Sequence, residues 1–123
     1  MSVHRIGMAT RYSEAAIHNG VAYLAGQVPE ETLSDDIEAQ TREVLDQIDR
    51  LLAQVHSDKS RILMCQIFIA DLNDFAGMNR VWDAWVSPGH APPRATVEAR
   101  LANPAYRLEI VVTAAQRQSH HEE

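Results

Sequence analysis

The sequence predicts an α+β fold: a single β-sheet with two helices packed on one of its faces. Three observations lead there. Strand-like and helix-like segments follow one another in the order β-β-α-β-α-β-β, so each helix leaves one strand and returns to another. Both helical stretches carry one apolar stripe and one polar face. The last run, Leu108–Ala115, is rich in β-branched residues.

Each element has a local reason. The first two strands, Glu14–His18 and Val21–Ala25, flank Asn19-Gly20, which accepts the two positive φ angles of a type I′ turn. Tyr23-Leu24-Ala25 then runs into Gly26-Gln27-Val28-Pro29, a strand end followed by a loop. In the first helix Ile37, Val44, Leu45, Ile48, Leu51, Leu52 and Val55 recur at helical spacing. Ser34 or Asp35 is placed to cap it, with Glu38 as the capping-box partner of Asp35. The charges from Glu38 to Arg50 form its solvated face. Arg61–Ile69 reads as a buried strand. A second helix runs from about Asp74 to Val86, with Asn73 as its cap. Its stripe is Phe75, Met78, Trp82, Trp85 and Val86, and tryptophans at this spacing read as core rather than as a ligand cage. After a loop marked by Pro88, Gly89, Pro92 and Pro93, Arg94–Leu101 places Arg94, Thr96 and Glu98 on one face and Ala95, Val97 and Ala99 on the other. Asn103-Pro104 turns into the last strand. The polar tail after about residue 115 is expected to fray.

The 123 residues, 46% of them apolar, suit one domain spanning 1–123. A chain of this size buries only about two-thirds of its unfolded surface, so a subunit interface is a natural way to bury more. Eleven Lys+Arg against seventeen Asp+Glu give a net charge of −6, which argues against a nucleic-acid partner held by many phosphate contacts. No apolar stretch reaches the ~20 residues of a membrane span, and the start lacks the apolar region of a secretory signal. These features predict a cytoplasmic protein with no membrane partner.

Chemistry-bearing motifs are few. The histidines form neither an HExxH pattern nor a helical i,i+4 pair, and His120-His121 in the tail offers at most weak metal binding. Cys65, the one cysteine, lies in an apolar strand and reads as an inert buried thiol. No nucleophile elbow, dinucleotide fingerprint or phosphate loop is present, so the expectation is no metal and no cofactor. Two residues remain. Arg94 follows Pro92-Pro93, whose fixed φ stiffens the backbone that presents a planar, carboxylate-binding fork. Glu109 interrupts the apolar run Leu108–Val112 and needs a partner, a cation or a held water. Arg94 and Glu109 pairing with each other, or Glu109 lining a wet edge, are the alternatives.

At these residues the sequence resembles the reactive intermediate deaminase family (RidA, also called YjgF or YER057c/UK). The resemblance runs from about Arg11 to Ala115. It is carried by Tyr12-Ser13, Val21–Pro29, Gln40-Thr41, Ala70–Phe75 with Asn79, Pro92–Glu98, and Leu108-Glu109-Ile110. The spacing of Pro-x-Arg-x-x-Val-Glu and the late Glu-Ile is its most specific part. The resemblance implies a chorismate-mutase-like α+β fold and a homotrimer whose sheets face inward as a central barrel, with ligand clefts between subunits. Val97, Ala99, Ile110 and Val112 are the expected inward face. It also implies cofactor-independent hydrolysis of 2-imino or enamine acids, such as 2-aminoacrylate and 2-iminopropanoate, to 2-oxo acids and ammonia. Arg94 matches the family's carboxylate-binding arginine and Glu109 its water-holding glutamate. Tyr12, Gly26, Asn79 and Thr96 match substrate-binding positions of the cleft. Thr96 stands where the archetype has cysteine, and Val111 where it has a second acid, which marks a related but distinct subgroup. A non-catalytic binder of small 2-oxo acids would use the same Arg94.

Overall fold

Residues 2–118 are described in the structure, a computed structural model. In chain order the elements are β1 (His4–Ile6), β2 (Ala15–His18), β3 (Val21–Leu24), α1 (Ile37–Gln54), β4 (Ile62–Ile69), α2 (Phe75–Trp85), β5 (Arg94–Glu98) and β6 (Leu108–Ala115). The strands form one sheet in the order β1-β2-β3-β6-β4-β5. All neighbours are antiparallel except β4 and β5, the parallel pair joined through α2. The predicted α+β class therefore holds, with one strand added at the N-terminus. β1 is three largely exposed residues paired to β2 at the sheet's edge, too short and polar to announce itself by alternation.

The Asn19-Gly20 turn has the expected pair of positive φ angles, 54° and 78°. Helix starts differ by a residue or more from the expectation. Asp36 caps α1, its carboxylate accepting from Ala39 N at 3.0 Å. With the cap at Asp36 the third helical residue is Ala39, so Glu38 has no capping-box role and instead pairs with Arg42 and Arg80. Asn73 is not the cap of α2 either. It lies in a 3₁₀ turn, Leu72–Asp74, which Asp71 caps by accepting from Asn73 N at 2.8 Å.

The pleat divides the sheet cleanly. Cys65, Ile67 and Ile69 of β4 and Leu108, Ile110, Val112 and Ala114 of β6 are buried against the helices. Val44, Leu45, Ile48 and Leu52 of α1 and Met78 and Trp82 of α2 cover them. The opposite face, with Gln66, Phe68, Val97, Glu109, Val111 and Thr113, has no layer over it among the described residues. Tyr23 and Val97 on that face are 50% and 44% exposed. The expected grouping of Val97 with Ile110 and Val112 is thus corrected. Phe68 pairs with both Val97 and Glu109, so Val97 shares a face with the odd-numbered residues of β6, while Ile110 and Val112 point to the helices.

The chain does not fray at Ala115. Gln116 N donates to Gly20 O and Arg117 N to His56 O, both at 2.8 Å. His120 and His121 lie outside the described residues. Among the described residues no helix is long and apolar enough to cross a membrane.

Candidate functional site

Arg94 opens β5 opposite Cys65, which places its side chain on the helix-covered side of the sheet, under α2. Phe75, Asn79 and Trp82 stand at i, i+4 and i+7 on α2 and therefore meet it from one helix face. Asn79 Oδ1 accepts from Arg94 Nη1 at 2.9 Å. The guanidinium carbon lies 4.9 Å from the Trp82 ring centroid and 5.9 Å from that of Phe75. Arg94 is half-buried, and among the described residues no carboxylate pairs with it. Thr96, two residues on, faces the same way, and its hydroxyl is buried without a hydrogen-bond partner. The neighbouring Cys65 is fully buried. Burial pushes its thiol up to about 12, despite the opposing pull of the Arg94 charge, so it stays protonated and inert as expected.

Glu109 occupies the other face. It pairs in register with Phe68 on the uncovered side of β6. Its carboxylate lies across Gly26, where an added Cβ would run into it, so the glycine is what lets the acid rest on bare backbone. That backbone is held by Gln27 and Ile110, which exchange hydrogen bonds of 2.8 and 3.0 Å. Among the described residues none hydrogen-bonds or ion-pairs with the Glu109 carboxylate.

The six residues singled out in the sequence thus fall into separate groups. Arg94, Asn79 and Thr96 come together beneath α2. Glu109 and Gly26 come together on the open face. Tyr12, 58% exposed, stands on the loop between β1 and β2. Arg94 and Glu109 are on opposite faces of one sheet, so the alternative of a direct pair between them within a chain is ruled out. Phe75 and Trp82 were legible only as core stripe. Their spacing around Asn79 was the available signal that they also surround Arg94. Clefts of about 400 Å³ between α1 and α2, and of about 740 Å³ beneath the loop joining β5 to β6, include neither Arg94 nor Glu109.

Comparison with known proteins places the chain among related sequences and folds. The profile of the family described as Endoribonuclease L-PSP matches residues 2–116. A RutC family protein of Haemophilus ducreyi is 54% identical over 113 residues, covering 92% of this chain and 96% of that protein. The RutC family protein YoaB of Escherichia coli is 50% identical over 115 residues, covering 94% and 99% respectively. Among solved structures, NMB1025 of Neisseria meningitidis, a member of the YjgF family, superposes with a TM-score of 0.93 at 48% identity, covering 97% of this chain and 98% of that one. Sequence matches along nearly the whole length, and a shared sheet-and-helix arrangement, establish that this chain belongs to the YjgF/RutC family.

Proposed function

We propose that this protein hydrolyses small 2-imino acids and their enamine tautomers to 2-oxo acids and ammonia, without a cofactor. The observation that carries the reading is Arg94: half-buried, mounted by Asn79 and two aromatic rings, and left without a carboxylate among the described residues. Burying a cation without a counter-charge is costly, so such a mount is best explained by an anion that comes and goes. A planar fork with its remaining N–H groups open suits the carboxylate of a 2-imino acid.

In the mechanism that follows, Arg94 fixes the substrate carboxylate and so the adjoining C=N carbon. Glu109 holds a water against that carbon and takes its proton as the C–O bond forms. Glu109 returns that proton to nitrogen, giving the carbinolamine; it then takes the hydroxyl proton and passes it to the same nitrogen as the C=O forms, the C–N bond breaks and ammonia leaves the 2-oxo acid. Arg94 and Glu109 lie on opposite faces of one sheet, so the reaction centre is assembled from two chains: Arg94, Asn79 and Thr96 from one, Glu109 and Gly26 from its neighbour. The uncovered sheet face, with Tyr23, Met64 and Val97 at 50%, 40% and 44% exposure, is the apolar surface that three copies would bury in a central barrel.

Binding of 2-oxo acids without turnover would need Arg94 alone. A ribonuclease role, which the family's description names, is poorly served by a net charge of −6. The deciding assay generates 2-iminopropanoate with an amino-acid oxidase and traps the unhydrolysed fraction with semicarbazide. Catalytic loss of trapped imine supports the hydrolase. Calorimetric binding of 2-oxobutanoate without such loss supports the binder.

A further inference from the structure

The stripe of α2 does more than fill the core. Trp82 is 6% exposed, so its ring is fixed. It is braced by Trp85, whose ring centroid is 5.3 Å away at a 49° tilt. Trp85 is held in turn: its Nε1 donates to Asp49 Oδ2 at 3.0 Å, and its carbonyl accepts from Lys59 Nζ at 2.6 Å. A chain of rigid contacts therefore runs from α1 through both indoles to the Arg94 guanidinium. Free arginine side chains lose rotamer entropy when they are fixed by a ligand. Here the ring face and the Asn79 amide have already removed much of that freedom. Tryptophan is the best of the aromatic faces for a cation.

We infer that Trp82 is a positioning residue, whose indole face sets the plane of the Arg94 guanidinium so that its open edge meets a small carboxylate. This rests on the carboxylate-binding reading of Arg94. It adds that the affinity depends on the ring under the arginine as well as on the arginine.

The chain has two tryptophans, which makes the test direct. Trp85→Phe leaves Trp82 as the sole indole, read with excitation at wavelengths the three tyrosines do not absorb, and Trp82→Phe leaves Trp85. With 2-oxobutanoate as the probe, Trp82 emission in Trp85→Phe should change and saturate at the dissociation constant measured by calorimetry. Trp82→Phe keeps a ring face and should bind within about threefold of the unsubstituted protein, whereas Trp82→Leu should bind about tenfold more weakly and raise KM correspondingly. Leu52→Ala, a core truncation in α1, supplies a matched loss of melting temperature and should leave affinity unchanged. Trp82→Leu binding as tightly as the unsubstituted protein, or Trp82 emission unmoved by saturating probe, overturns the inference. If Trp82→Leu does not fold, the emission of Trp82 still decides. Failure of the unsubstituted protein to bind 2-oxobutanoate would remove the reading of Arg94 together with this inference. Normal binding with an unaffected Trp82→Leu removes the inference alone.

Discussion

Gln40 has no side-chain polar group to spare. It is fully buried, its amide donates to the carbonyls of Thr32 and Ala105 at 3.1 and 3.0 Å, and its carbonyl accepts from Arg107 N at 2.8 Å. One side chain thereby ties α1 to the loop before it and to the approach to β6, the strand that carries Glu109. Gln40→Leu keeps the volume but strands three backbone groups, and should cost about 2–4 kcal/mol in urea denaturation. Glu43 is a second such clamp. Partial burial pulls its carboxyl up, but the Thr32 hydroxyl and the backbone N–H groups of Glu30, Glu31 and Thr32 outweigh that and hold it below the ordinary 4.5. A carboxyl lowered in the folded state contributes stability above its unfolded value and loses it as pH falls through the folded one. The stability advantage of the unsubstituted protein over Glu43→Gln should therefore be full near neutrality and shrink as pH drops below 4.5, measured as melting temperature against pH. Gln40 was legible in the sequence as part of the family pattern. Its role was not, because its partners lie 8, 65 and 67 residues away.

At the scale of elements, periodicity carried most of the fold. α1, β6 and the Asn19-Gly20 hairpin were legible because each states its period or turn chemistry locally. Helix starts were less so, since Ser34, Asp35 and Asp36 are all good cap residues in a row, and the structure uses Asp36, with Ile37 buried directly after it. The end of α1 shows a similar tertiary override. His56 follows the helix at φ 61°, a left-handed position that glycine fills at lower cost. Its neighbour Ser57 closes the turn by donating N–H to Leu52 O at 2.9 Å. His56→Gly should raise stability by about 0.5–1 kcal/mol, seen as a higher denaturation midpoint with an unchanged m-value.

At the scale of the whole molecule, the sequence put Arg94 and Glu109 on one page but could not say that a sheet separates them. Face assignment depends on register across three strands, Arg94 against Cys65 and Glu109 against Phe68, pairings between segments far apart in the chain. That separation makes a prediction about subunits as well as residues. Arg94→Ala should leave the fold intact and lower imine turnover by about 30-fold to several thousandfold, the loss of a bidentate charge-assisted contact of about 2–5 kcal/mol. Arg94→Lys should rescue little, since a point charge lacks the fork. Glu109→Gln should bind 2-oxobutanoate nearly normally and turn over slowly, because an amide holds water but is a poor base. Each variant alone is deficient at every site. If the reaction centre takes Arg94 from one chain and Glu109 from the next around a closed ring, mixing the two variants by denaturation and refolding restores some sites. A restored site has its arginine from the Glu109→Gln chain and its glutamate from the Arg94→Ala chain, which random assembly of equal amounts gives at about a quarter of interfaces. Turnover should then rise to about a quarter of the unsubstituted level, with light scattering giving a trimer mass. A site built within one chain predicts no recovery on mixing, because every chain in the mixture lacks one of the two groups.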